Sequence, residues 1–422
     1  MLSRRHFVKI AGTIPFLPTP DSFAADPSFH AARPLIKKIS IFNSSGSFYR
    51  FVGMNSYDTA PKGIKGSRKS VMIEFSDGTL GLGTVGYTNI TESIISKIRQ
   101  LIKQDPLSFY QWNGDQIAGV VPAMQPYFYN TDYAWVESAI LDGIGKMKNL
   151  PVWKMLGESK REGIDPYDGT LYFEEIANNT DVSLIGEIGK RIKEDGYRAI
   201  KMKLGRPSKW LPGEAGVERD IEAFITLREA VGQNFNIMAD ANNGYKGQHD
   251  WAVKLMTACA PYHMYFMEEL FPDNAQQYLR LREALLKENF FIPIAEGEDI
   301  REMDKFDQYC QEGLYNYIQP DMATCGTNNI LQTARQAEKF PHVKLIPHVW
   351  QSQLGLIMSL HVSKVQHNIP YVEDSRYFEH AFIPSGYIFR NGQWFIPDKP
   401  GWGVELSPDF RQFIADDEIV IT

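Results

Sequence analysis

Seven polar residues stand at the ends of seven consecutive apolar runs: Lys203, Asp240, Glu268, Glu298, Asp321, His348 and Glu373, spaced 23 to 37 residues apart. Such an interval accommodates one strand and its crossover helix. Three carboxylates in succession, with a lysine before and a histidine after, suit a divalent cation flanked by two bases. Converging carboxylates raise one another's pKa unless a cation lies among them. An all-oxygen set, Asp240, Glu268 and Glu298, favours Mg2+. Strand alternation sends neighbours to opposite faces, so only one of Glu268 and Glu269 is expected to point inward. The same period puts Lys201 and Lys203 on one face, here the barrel interior. Two ammonium groups beside a divalent cation have depressed pKa values, which is how a lysine becomes a base. Asp321 and His348, on adjacent strands, can share a hydrogen bond that fixes the imidazole tautomer and raises its basicity. Glu373 ends the last strand, where it could meet a substrate oxygen. A cation on a substrate carboxylate would favour loss of the α-proton. Two bases then permit its return, or its removal with acid-assisted loss of a leaving group.

These residues need elements to hold them. Candidate strands are 197–204, 235–241, 264–269, 290–298, 315–319, 343–348 and 369–373, with a weaker first strand at 164–170. Helical patterns at 217–231, 250–259, 275–287, 329–339 and 353–364 lie between them. Eight strands alternating with helices predict an α/β fold, a closed (β/α)8 TIM-type barrel of the usual ~250 residues. An open doubly wound sheet is the alternative, but it gathers its chemistry at one switch point rather than at every strand end.

Before the barrel, residues 35–43 alternate as a strand, and 44–65 show no clear period. Residues 71–84 read as a hairpin turning at Asp77-Gly78, and helices follow at 91–103 and 135–147. This pattern predicts an α+β capping domain at 34–160, a barrel at 161–378 and a C-terminal segment, 379–422, returning to the cap. Gly81-Leu82-Gly83-Thr84-Val85-Gly86 matches a dinucleotide-binding pattern, but it lies in a hairpin strand rather than a turn opening a helix.

The chain has 422 residues and a net charge of -7, so no excess of cations exists to neutralise nucleic acid or an anionic membrane. No apolar run beyond the N-terminus is long enough to span a bilayer. Cys259, Cys310 and Cys325 lack metal or disulfide spacing. Ser3-Arg4-Arg5-His6-Phe7-Val8-Lys9, a modest apolar run and Ala24-Ala25 resemble a twin-arginine export signal over residues 1–25. The periplasm is the expected location.

Several segments together resemble the enolase superfamily, mandelate racemase-like subgroup. They are Ala199 to Gly205, Ala239-Asp240-Ala241-Asn242, Phe266-Met267-Glu268-Glu269, Ile294 to Glu298, Gln319-Pro320-Asp321, Pro347-His348, and Pro400-Gly401-Trp402-Gly403-Val404. The resemblance implies a cap over a modified barrel and Mg2+ on Asp240, Glu268 and Glu298. Lys203 and His348 would be the acid/base pair, with Asp321 supporting His348. Lys201 would neutralise a substrate carboxylate, and Glu373 would correspond to the last-strand acid. The first glutamate of Glu268-Glu269 is the implied ligand. Leu270 stands where the family usually has proline. Barrels of this family are often oligomeric, which implies a homo-oligomer.

The chemistry expected is dehydration of an acid sugar to a 2-keto-3-deoxy acid. Racemisation or epimerisation of a 2-hydroxy acid uses the same residues and is the alternative. A third possibility is an exported binding protein whose barrel holds metal without turnover.

Overall fold

The computed structural model of the protein describes residues 33–422; the twin-arginine motif lies outside the described residues. Strands β1 (Ile36–Val52), β2 (Gly63–Phe75) and β3 (Leu80–Thr84) form an antiparallel sheet, followed by helices α1 (Glu92–Arg99) and α2 (Val136–Met147). The barrel strands are β4 (Pro166–Leu171), β5 (Ala199–Lys203), β6 (Asn236–Asp240), β7 (Met264–Glu268), β8 (Ile294–Glu296), β9 (Tyr317–Ile318), β10 (Lys344–Leu345) and β11 (Val372–Asp374). Between them run α3 (Ser183–Glu194), α4 (Glu214–Val231), α5 (His249–Cys259), α6 (Ala275–Lys287), α7 (Asp304–Glu312), α8 (Thr327–Ala337) and α9 (Gln353–Lys364). Two tail strands, β12 (Tyr377–Glu379) and β13 (Ile419–Ile421), both pair with β1.

The eight barrel strands are ordered β10-β9-β8-β7-β6-β5-β4-β11, and every pairing is parallel. The last strand pairs with the first, Glu373 opposite Tyr167, so the sheet curls round as a TIM-type barrel and an open sheet is excluded. The Leu345 N–H to Asn368 carbonyl bond, 3.1 Å, bridges the seam between β10 and β11.

Several boundaries depart from the sequence reading, three of them with a local cause in the structure. The first barrel strand begins at Pro166, because Gly163–Ile164 pairs instead with a tail strand through Trp394 and Phe395. Strand β8 stops at Glu296, since Gly297 turns the chain at φ 122° and carries Glu298 beyond the sheet. The stretch 44–65 is mostly strand, leaving only 53–62 as loop. Its polar residues show no local period because their partners come from β2 on one side and from β12, more than 300 residues on, on the other.

The hairpin glycines have a packing role. A Cβ at Gly81 would lie 2.0 Å from the Ala139 carbonyl oxygen, and one at Gly83 2.0 Å from Ser138 Oγ. Side chains there would push α2 off the sheet, which accounts for the apparent dinucleotide pattern. Buried Asp142 on α2 then ties three segments together. It accepts the Leu82 N–H at 2.8 Å, the Trp402 N–H at 2.7 Å and Lys146 Nζ at 2.6 Å.

His361 on α9 is fully enclosed between this node and the barrel. Its Nδ1 accepts the Trp153 N–H at 3.1 Å, so Nε2 carries the proton and donates to the Tyr387 hydroxyl at 2.8 Å. Burial, with Lys364 adding to it, pushes its pKa from 6.5 down to about 3. The unfolded chain therefore takes up a proton first as pH falls. The contribution of neutral His361 is intact above pH ~6.5 and is lost progressively below it. At pH 5 the loss amounts to about 2 kcal/mol. Chemical denaturation of the wild type and His361→Gln between pH 7.5 and 5 measures it; equal acid slopes in both would contradict the assignment.

Candidate active site

Parallel register aligns the functional side chains. Lys203 pairs with Asp240 across β5–β6, and Asp240 with Glu268 across β6–β7, so the strand ends present them side by side. Alternation places Lys201 two residues earlier on the same inward face. Lys201 Nζ lies 2.9 Å from Glu268 Oε2, 2.9 Å from Glu373 Oε1 and 3.6 Å from Asp240 Oδ2, and is 1% exposed. Lys203 Nζ forms a very short ion pair with Asp240 Oδ2. Oxygens of Asp240, Glu268 and Glu298 all lie within 4.8 Å of one another.

At the other end of this arc, His348 Nδ1 is 2.9 Å from Asp321 Oδ2. Asp321 is itself held as an N-cap, accepting the Thr324 N–H at 2.7 Å. As an acceptor it sets Nδ1 as the protonated nitrogen and leaves Nε2 facing the site. Nε2 lies 3.2 Å from Glu298 Oε2. Glu373 is more firmly anchored than expected for a group meeting substrate: Oε2 accepts the Val349 N–H at 2.9 Å while Oε1 holds Lys201. All eight residues singled out in the sequence are thus brought together.

Charge explains the proton affinities. Burial disfavours the charged form of each lysine, but the surrounding carboxylates outweigh it and hold both above the ordinary lysine value. These directions belong to the four acids alone, Asp240, Glu268, Glu298 and Glu373; the depressed lysines of the sequence reading belong to the cluster with a divalent cation among those acids. Burial also works against charged His348, yet Glu298, the Asp321 bond and Glu373 raise it to about 10. Glu268 is pushed up to about 8 by burial, with Lys201 opposing. Asp240 stays low because Lys203 and Lys201 overcome its desolvation.

This donor set fits a hard divalent cation. Asp240, Glu268, Glu298 and Glu373 face only two ammonium groups, so the Asp321–His348 pair aside the cluster carries excess negative charge. Buried Glu298 Oε2 accepts no well-directed hydrogen bond despite its closeness to His348. Oxygen ligands without histidine or cysteine select Mg2+ over softer metals.

Sequence reasoning missed three contributors. Asn242, at φ 42°, donates its N–H to Asp240 Oδ1 at 2.8 Å and its Nδ2 to Glu269 Oε2 at 3.2 Å. It also receives the cap loop, from Asn55 Nδ2 at 3.1 Å and Ser56 Oγ at 2.6 Å. Gln319 Nε2 donates to Glu268 Oε2 at 2.9 Å. Both residues lay inside segments that drew notice, but their short polar side chains carried no charge signal. The third is Glu269. It leaves the strand at φ 46°, which breaks the alternation that would have turned it away, and its carboxylate comes within 4.8 Å of Glu298 and Asp299. The expectation that only one glutamate reaches the cluster therefore fails. The loop that follows, with Leu270 in place of proline, is pinned by the Tyr245 N–H to Leu270 carbonyl bond, 3.1 Å.

A family model described as enolase C-terminal domain-like matches residues 184–410. D-galactarolactone cycloisomerase of Agrobacterium fabrum is 25% identical over 354 residues, covering 80% of this chain and 89% of that protein. Arabinonate dehydratase of Saccharolobus solfataricus is 28% identical over 356 residues, covering 79% and 87%. Among solved structures, a mandelate racemase/muconate lactonizing protein from Geobacillus sp., complexed with magnesium and tartrate, superposes with a TM-score of 0.77 at 22% identity. It covers 92% of this chain and 97% of that one. With the matched segment spanning more than half of its length, this chain belongs to the enolase C-terminal domain-like family.

Proposed function

We propose that the protein is a Mg2+-dependent dehydratase of acid sugars, removing the proton α to a carboxylate and expelling the β-hydroxyl to give a 2-keto-3-deoxy acid. One observation carries this reading: Lys203 and His348 sit at opposite ends of the Asp240–Glu268–Glu298 arc, each within reach of one of its carboxylates. The dehydratase among its relatives and the magnesium held by the Geobacillus protein support it.

Asp240, Glu268 and Glu298 would hold Mg2+, which supplies positive charge to the oxygens of a bound carboxylate and so eases loss of the α-proton. Lys201, fixed between Glu268 and Glu373, presents an ammonium group to the same carboxylate. One of the two bases, Lys203 Nζ or His348 Nε2, takes the proton; the other, protonated, gives one to the departing hydroxyl. Asp321 keeps the imidazole oriented with Nε2 toward that oxygen, and Gln319 holds Glu268 in place. One wall of the site is the buried Tyr172, whose ring lies 5.2 Å from Lys203 Nζ, backed by the half-buried Trp350 stacked on it at 5.1 Å.

Incubation with Mg2+ and an acid-sugar panel in deuterated water tests the reading. A deuterated 2-keto product supports dehydration, whereas deuterium in an inverted or recovered acid indicates racemase or epimerase chemistry. Lys203→Ala and His348→Ala should each lower turnover by about 10²–10⁴-fold; full activity in either would sink the assignment. Mg2+ should raise the melting temperature of the wild type in a concentration-dependent way. Glu298→Gln should need far more Mg2+ for the same rise, and an unchanged response would remove Glu298 from the ligand set.

We further propose that Arg4-Arg5 directs export of the folded protein to the periplasm. Replacing both with lysine should leave it in the cytoplasmic fraction, and periplasmic recovery of that variant would contradict this.

A further inference from the structure

The cap, through Arg68, and the loop between β8 and α7, through Arg301, contribute positive charge on the His348 side of the site that dehydration itself does not require. Tyr87 stacks on the His348 ring, centroids 6.2 Å apart, and is itself about half exposed. Two guanidinium groups flank Tyr87, Arg68 at 5.4 Å and Arg301 at 5.9 Å from its centroid. The charges of Arg68, Asp321 and Glu298 all bear on the Tyr87 hydroxyl, which places this wall beside the acid/base machinery. Among the described residues, neither arginine has a carboxylate within ion-pair distance. Arg68 makes only a long bond from Nε to Thr84 Oγ1, 3.4 Å, and Arg301 uses Nη1 on the carbonyls of Glu298 and Ile300. Most of their donors therefore stay available, in a molecule with net charge -7 and a site otherwise crowded with acids. Like charges brought together around one ring are stabilised by an anion between them, and a guanidinium fork matches a planar carboxylate.

We infer that the substrate is a sugar diacid, its second carboxylate received by Arg68 and Arg301 beside Tyr87 while the first lies against Lys201 and the carboxylate arc. The inference rests on the dehydratase reading and narrows its substrate class. A monoacid, ending in an uncharged hydroxymethyl group, would leave these donors to water.

The test uses the mature Mg2+-loaded protein and matched acid sugars of the same stereochemistry, ending in carboxylate, hydroxymethyl or phosphate. Affinity by calorimetry and α-proton exchange are read together. The terminal carboxylate should improve kcat/KM and affinity about 10- to 100-fold over hydroxymethyl. Arg68→Gln and Arg301→Gln should each collapse that ratio toward one, an effect that loss of folding, which weakens both ligands alike, would not produce. A ratio near one in the wild type, or unchanged in both variants, overturns the diacid assignment and leaves dehydration standing. Preference for phosphate over carboxylate likewise overturns it. Exchange with none of the compounds, together with no binding, overturns the dehydratase reading and this inference with it.

Discussion

Charge buried inside a barrel must be matched at close range, and that requirement governs the rest of this structure. An ammonium or carboxylate taken out of water without a partner costs several kcal/mol. Lys201 meets that cost with two carboxylates at 2.9 Å, one from β7 and one from β11. Glu373 is 172 positions beyond Lys201, and only a sheet that closes on itself brings the last strand beside the first and so beside the second. Register matters equally. Sliding β6 by one residue against β5 would carry Asp240 from the interior to the helix side and strand Lys203 without its partner. Barrel closure, register and charge pairing thus enforce one another.

The cap is fastened to this cluster through neutral side chains. Asn242 is the joint: its backbone and amide orient Asp240 and Glu269, while its oxygens take the loop residues Asn55 and Ser56. Hydrogen bonds suit this task because they add no net charge to a site already rich in it. Farther out, Arg50 binds both Glu174 Oε1 at 2.9 Å and the Thr170 carbonyl at 2.6 Å, securing the end of β1 against the first barrel strand. The cap loop is therefore short, held at both ends, and set over the strand termini.

Much of the barrel was legible in the sequence. Helices α6 and α9 occupy the expected residues, and β5, β6 and β7 lie inside the expected strands, because each carries its own apolar period. The ligand arc was legible for a related reason: a polar residue closing an apolar run marks a strand's C-terminal end, where a parallel barrel concentrates its chemistry. Less could be read where a residue's fate depends on distant partners. The strand character of 44–52 comes from β2 and β12, and the inward reach of Glu269 follows from a left-handed backbone that no period signals. The pairing of Lys201 with Glu268 and Glu373 was likewise illegible, because no local pattern sets those residues against one another.

That boundary has a physical origin with a functional consequence. Barrel residues obey local rules, since each strand contributes one inward side chain per two positions and the common axis does the rest. Cap residues such as Arg68 and Tyr87 reach the site across an interface between segments far apart in sequence, where no periodicity constrains them. In the proposed reaction, proton abstraction rests on the first kind of residue and the choice of a diacid on the second. Arg68 meets the acid/base end across the Tyr87 ring, and Arg301 across that ring and the Glu298 carbonyl, so neither forms an ion pair with the buried carboxylates. Proton abstraction can therefore stay fixed while the cap varies which acid is brought to it.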